Sequence, residues 1–238
     1  MKNIFKFSLV CLCTVLALAG CSEAEDGLVK VTYYANFSLN DYDDGITLVP
    51  IGSTYKDAGC VCTEGTEDIS SKVVTTGADK IDTSKPGIYT VTYSATNVDG
   101  FSSTASRSVA VYDESSIARN IGKTYSVTDE SYRLVTESGA KKPYSGYEIQ
   151  LDYIAPGLYY VSDFLGGYYD QGAGYGSDYA MHGYLWLKND NSVEALSTLV
   201  NGWGDSADDV RGTYDEATGT IKLEVDYAGQ MTFYVTLK

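Results

Sequence analysis

Histidine is almost missing from these 238 residues: there is one, His182, beside four prolines and three methionines. With no zinc-ligand spacing, no Ser/His/Asp context and no phosphate loop around it, metal and nucleophilic chemistry have little to draw on. Basic residues are scarce as well, 17 Lys and Arg against 32 Asp and Glu. Nucleic acid is excluded as a partner, because phosphate binding needs clustered Lys and Arg. Long apolar runs are also lacking: the one near the start covers residues 7–18 and is too short to span a bilayer. Of five cysteines, Cys11, Cys13 and Cys21 fall at the start, so only Cys60 and Cys62 remain for the rest of the chain.

What is there begins with a leader. Lys2 and Lys6 precede the apolar run, and the small residues Ala19 and Gly20 follow it, the charged, hydrophobic and small order of a secretory signal. The run Leu18-Ala19-Gly20-Cys21 resembles the bacterial lipobox. That resemblance implies a signal peptide over residues 1–20, a diacylated Cys21 as mature N-terminus, and the membrane as a partner through lipid. Acyl burial at roughly 0.8 kcal/mol per methylene makes several chains on one cysteine a stable anchor. The acidic stretch Ser22-Glu23-Ala24-Glu25-Asp26 resembles the surface-export tether of Bacteroides-type lipoproteins, which sets residues 21–28 as a tether and implies outer-membrane, outward-facing placement. Without the leader, 15 basic residues face 32 acidic ones, a charge of −17 that suits solubility near a surface.

Residues 29–112 alternate apolar and polar positions in short runs broken by turn signals, the pattern of an antiparallel β-sandwich. Tyr89, Val91, Tyr93 and Ala95 share one face of a strand, with Thr90, Thr92, Ser94 and Thr96 on the wet face; Asp99-Gly100 marks the turn into a return strand. If residues 60–62 are a strand, Cys60 and Cys62 share a face, and two buried thiols are expected. Asn40-Asp41-Tyr42-Asp43-Asp44-Gly45 lacks the acid spacing of a calcium loop and reads as a solvated turn before a strand from Ile46. The segments running from Val49-Pro50-Ile51-Gly52 to Gly59, and from Asp82 through Lys85-Pro86-Gly87 to Tyr93, resemble the Ig-like domain of bacterial surface proteins. Such modules act as spacers or adhesive stalk elements.

A polar stretch at residues 113–119 separates a second domain, residues 113–238. Strands are expected at 123–128, 147–154, 158–164, 179–188, 220–227 and 231–237, and a short helical turn within 192–200. The fold class is therefore all-β, an Ig-like sandwich followed by an antiparallel barrel or sandwich. Gly122-Lys123-Thr124-Tyr125, the Tyr214 to Ile221 turn and the final apolar strand resemble small lipocalin-like barrels. The whole chain resembles two-domain Bacteroides lipoproteins whose C-terminal domain has no assigned function.

Fifteen of the 22 tyrosines lie from residue 113 onward, marking this half as the functional one. Within residues 164–179, glycines let the backbone approach a ligand, and Tyr168, Tyr169, Tyr175 and Tyr179 offer flat apolar faces with polar tips. Tyr184 and Trp186 on the next strand, and Trp203 in a glycine-flanked loop, extend the set. Sugar rings present C–H patches edged by hydroxyls, so such a platform flanked by Asp170, Gln171 and Asp178 suits a glycan, and an outer-membrane transporter would be its working partner. The competing account is a structural or adhesive surface protein whose tyrosines cover a β core. A two-acid hydrolase built from Asp163, Asp170, Asp178 or Asp205 lacks a defined separation. No catalytic residue, metal or cofactor is expected.

Overall fold

The computed structural model describes residues 31–42, 45–116 and 119–238. The leader, Cys21, the tether, Asp43 and Asp44 lie outside the described residues.

The N-terminal half forms two sheets. One holds β1 (Ala35–Leu39), β3 (Cys60–Glu64) and β4 (Glu67–Asp68) in the order β1-β3-β4; the other holds β2 (Ile46–Pro50), β7 (Ser102–Tyr112), β6 (Gly87–Thr96) and β5 (Val74–Thr76) in the order β2-β7-β6-β5. The β6–β7 hairpin keeps one register from Gly87↔Val111 to Thr96↔Ser102, and β2 runs parallel to β7. The alternation seen in sequence sets its faces: Val91, Tyr93 and Ala95 are buried and join Val49, Val109, Val111 and Cys62 in the core. Cys60 and Cys62 do share a face, and both thiols are free. Cys62 is buried as expected, whereas Cys60 is only half-buried; burial pushes both thiol pKa values up, which favours the protonated form.

The C-terminal half is one curled antiparallel sheet. Its strands are β8 (Lys123–Ser126), β9 (Tyr132–Val135), β10 (Lys141–Pro143), β11 (Glu148–Ala155), β12 (Leu158–Val161), β13 (Met181–Leu187), β14 (Ser192–Val200), β15 (Asp209–Asp215), β16 (Thr220–Tyr227) and β17 (Met231–Leu237). They lie in the order β10-β9-β17-β16-β15-β14-β13-β12-β11-β8. Ser126 N donates to Lys238 O at 2.9 Å, Lys238 N returns a bond to Ser126 O at 3.0 Å, and Thr128 N donates to Thr236 O at 2.9 Å. The start of this half is thereby bonded to its end, the curl of a barrel and not the two layers of a sandwich. Inside sit Tyr125, Ile149, Leu151, Phe164, Leu165, Met181, Leu185, Phe233 and Val235.

One sequence expectation fails. Residues 192–200 are strand β14, not a helical turn. Pairing with β13 shifts register after Leu185↔Ala195, with Tyr184 next opposite Ser197. This bulge flips the alternation, so that the fully buried Val193 and Val200 stand seven residues apart, a spacing that imitates two turns of helix.

The two halves touch through Ala110, Ala155 and Leu158, with Ile88, Tyr184 and Leu196 around them. The polar connecting stretch is fastened as well: Trp186 Nε1 donates to Ser116 Oγ at 3.1 Å, and Asn189 Nδ2 to Ser115 O at 3.1 Å. At Gly157, with φ of 68°, a Cβ would lie 2.6 Å from that of Ser116, so this turn against the connector requires glycine.

Candidate functional site

Residues 162–180, between β12 and β13, form a 19-residue excursion tied down at several points. Asp163, 2% exposed, closes its base: Oδ1 accepts from Leu165 N at 2.8 Å and Met181 N at 3.0 Å, and Oδ2 from Gly167 N at 2.9 Å. Burial pushes this carboxyl up to about 7, against the pull of the three N–H donors. A single π-turn, Tyr168–Gly172, follows, with Gly172 N bonded to Gly167 O at 2.8 Å. The Gln171 side chain pairs with the Glu148 backbone in both directions, at 2.9 and 3.2 Å, so it anchors the loop. The adjoining loop is held too. Gly202 N donates to Asp178 O at 2.7 Å, and the Tyr179 ring lies so close to Gly202 that a Cβ there would approach within 2.7 Å.

These fastenings bring Tyr169, Tyr175, Tyr179 and Trp203 together. Trp203 meets Tyr169 edge-on at 4.9 Å and 89°, and Tyr179 at 4.9 Å and 65°. Tyr175 stacks on Tyr169 at 6.1 Å and 15°, and meets Tyr179 at 5.5 Å and 71°. Tyr175 is 56% and Trp203 42% exposed, while Tyr169 and Tyr179 are half-buried. Below lie Tyr227, whose hydroxyl donates to Asp205 at 2.8 Å, and Phe233. The result is an open aromatic surface on a rigid bed, with Asp178 exposed and Asp170 half-buried in the same excursion.

The other expected members lie elsewhere. Tyr168 is 7% exposed and packs edge-on against Tyr144, Tyr169 and Phe233, so it supports the platform from below. Tyr184 and Trp186 project from the outer face of β13 toward the N-terminal half, Tyr184 against Tyr160 and the contact cluster, Trp186 onto Ser116. His182 Nε2 lies 3.3 Å from Asn201 Oδ1, on that outer face. Sequence reasoning missed Tyr147, whose ring fills the space where Gly167 and Gly172 would carry side chains, and Arg133, whose guanidinium lies over Tyr168 at 5.0 Å. The only sequence signal for Tyr147 was the recurrence of glycine at 167 and 172. A cleft of ≈ 390 Å³ opens where β14 and β15 part after Glu194↔Arg211, lined by small and polar side chains such as Ser197, Thr198 and Asp209.

Comparison with known proteins places the chain. The bacterial surface protein Ig-like domain model matches residues 42–111, and a model described as a "-like, C-terminal domain" matches residues 114–238. The lipoprotein BT2262 from Bacteroides thetaiotaomicron is 39% identical, with 86% of this chain and 100% of that one covered and a TM-score of 0.48. The chain belongs to the family of this Bacteroides lipoprotein. It is the sequence identity over the whole relative that carries the assignment. That relative is a lipoprotein, and the model matching residues 42–111 is that of a bacterial surface protein domain. A Clostridium perfringens ZmpB structure, of CBM51-2 in complex with GlcNAc and INT domains, is 16% identical over 85% of this chain and 43% of that one, with a TM-score of 0.25. A likeness that low bears on neither fold nor ligand. No curated protein matches the chain.

Proposed function

We propose that this family member is a non-catalytic lipoprotein of the outer membrane, anchored by lipid on Cys21 and facing the exterior, that binds a glycan on Tyr169, Tyr175, Tyr179 and Trp203 as an accessory to a nutrient transporter. The observation that carries the reading is the exposure of Tyr175 and Trp203 on two loops that are themselves clamped to the barrel. Large exposed aromatics on rigid backbone bind at little entropic cost, and their faces match the C–H patches of sugar rings. The N-terminal half acts as spacer over residues 29–112. Tyr34 packs on Phe101, just before β7 begins, whereas the C-terminal half follows the end of that strand. Eleven extended residues put about 35 Å between the Tyr34 end of this half and the barrel connection.

Titration of the mature protein with a glycan panel is expected to shift tryptophan fluorescence, since Trp203 would lie in the contact. Trp203→Ala and Tyr175→Ala are each expected to weaken binding about tenfold, the loss of roughly 1.4 kcal/mol. Absence of any response, or binding that survives both substitutions, would defeat the reading. For the anchor, Cys21→Ser is expected to leave the leader uncleaved and the protein without acyl mass by mass spectrometry.

A further inference from the structure

Six of the fourteen Lys and Arg among the described residues form ion pairs with carboxylates, Lys85 with Asp82 among them. Arg107 meets Asp57, Arg119 meets Glu216, Lys188 meets Glu194, Lys222 meets Glu130, and Arg211 meets Asp209, Glu224 and Asp226. Arg133 and Lys142 are among the eight that form no ion pair with a described carboxylate, and they differ from the other six in standing side by side. They are direct cross-strand partners on β9 and β10, where like charges repel. Both lie over one ring, that of Tyr168, at 5.0 and 5.2 Å.

The arginine is also short of acceptors. Its Nε is buried without a hydrogen-bond partner, Nη1 donates to the Met231 thioether at 3.8 Å, and the guanidinium interacts with the Tyr169 hydroxyl. The Tyr169 hydroxyl reaches the same sulfur at 3.6 Å, so the guanidinium adjoins the first ring of the aromatic platform. Arg133 also stands opposite Phe233 in the ladder, the residue beneath Tyr169. Lys142 is exposed and Arg133 half-buried, leaving the pair open on one side.

We infer that Arg133 and Lys142 form an anion subsite at the edge of the aromatic platform, so that the glycan bound there carries an acidic group, a carboxylate or a sulfate. The inference rests on the platform reading above and adds the class of sugar. Guanidinium forks bind such oxygens with short, charge-assisted bonds, and the anion would relieve the Arg133–Lys142 repulsion. The overall negative charge does not oppose this at contact range, because salt screens it beyond about 8 Å.

The test compares three oligosaccharides of equal length, one neutral, one uronic and one sulfated, against the full-length protein by calorimetry. At least one anionic ligand is expected to bind about tenfold more tightly than the neutral one, with the preference fading as salt rises. The preferred ligand identifies the anion. Lys142→Gln, at an exposed position, is expected to erode the preference while leaving neutral affinity in place, and Arg133→Lys, which keeps charge but loses the fork, is expected to erode the preference as well; Trp203→Ala should weaken all three. Neutral binding through Trp203 with no anionic preference, or a preference that both substitutions leave unchanged, overturns the subsite and spares the platform. Failure of all three to bind overturns both.

Discussion

An Asp163→Ala protein is expected to lose about 3 kcal/mol or more from its C-terminal half and to unfold about 10 °C lower in a scan followed by tryptophan fluorescence. Both tryptophans lie in that half, so the probe reports on it alone. The reason is a count of stranded donors. Leu165, Gly167 and Met181 each give a buried N–H to the Asp163 carboxyl, and an unmet buried donor costs about 1–3 kcal/mol. These bonds close the base of the excursion that carries Tyr169, Tyr175 and Tyr179, so the substitution should also abolish any ligand response. Asp163→Asn is milder: its oxygen can serve Leu165 and Met181, but its amide nitrogen confronts the Gly167 N–H. The two proteins should differ in pH dependence as well. Burial raises the folded carboxyl to about 7, above its value near 3.9 in the unfolded chain. The folded state therefore holds the proton more tightly, and this contribution is fully present below pH ~4 and is lost as pH rises through about 7. The stability advantage of wild type over Asp163→Asn should shrink across that window and then level. A difference that grows with pH would mean that the three N–H donors outweigh desolvation.

Much of the barrel and sandwich was legible because local alternation governs strands with one buried face. Ile221, Leu223 and Val225 against Lys222, Glu224 and Asp226 suffice to define β16, and Cys60 and Cys62 share a face for the same reason. The reading failed where the cause was not local. In β14 a bulge, created by pairing with β13, reversed the faces midway and left a helical spacing behind. Among the aromatics, sequence could gather Tyr168, Tyr184 and Trp186 with the others by proximity. Their separation follows from where the sheet curls and where the N-terminal half docks, which no stretch of ten residues encodes. Arg133 was invisible for a similar reason: what sets it apart is Lys142 directly opposite and the want of an ion-pairing carboxylate among the described residues, both properties of the ladder.

The same long-range logic governs the largest expected effect, Arg107→Ala, which should cost about 3–5 kcal/mol and leave the N-terminal half largely unfolded at moderate temperature. Arg107, on β7, is 1% exposed, and its donors span both sheets. Nη2 reaches Asn40 O at 2.5 Å and Gly59 O at 3.3 Å, on either side of the β1–β3 pair; Nη1 reaches Asp41 O at 3.3 Å and Thr47 Oγ1 on β2 at 3.4 Å. Nε donates to Tyr93 Oη at 3.2 Å, and that hydroxyl donates to Asp57 Oδ1 at 2.6 Å, which also accepts from Tyr55 at 2.9 Å. With no disulfide between its sheets, this sandwich is cross-linked by one guanidinium. Removing it strands several buried carbonyls and leaves Asp57 without its cation, whereas Arg107→Lys retains the charge but cannot reproduce a fork that serves carbonyls on separate loops. Hydrogen exchange of the β6 and β7 amides would read the loss directly. Alkali should reproduce part of it. Burial, reinforced by the bond to Asp57, pushes Tyr93 up to about 12 and Tyr55 higher still, so their contribution is complete below pH ~10, the unfolded value, and is lost as pH rises through 12. Exchange that stays slow in Arg107→Ala would show that the core aliphatics hold the two sheets without the polar link.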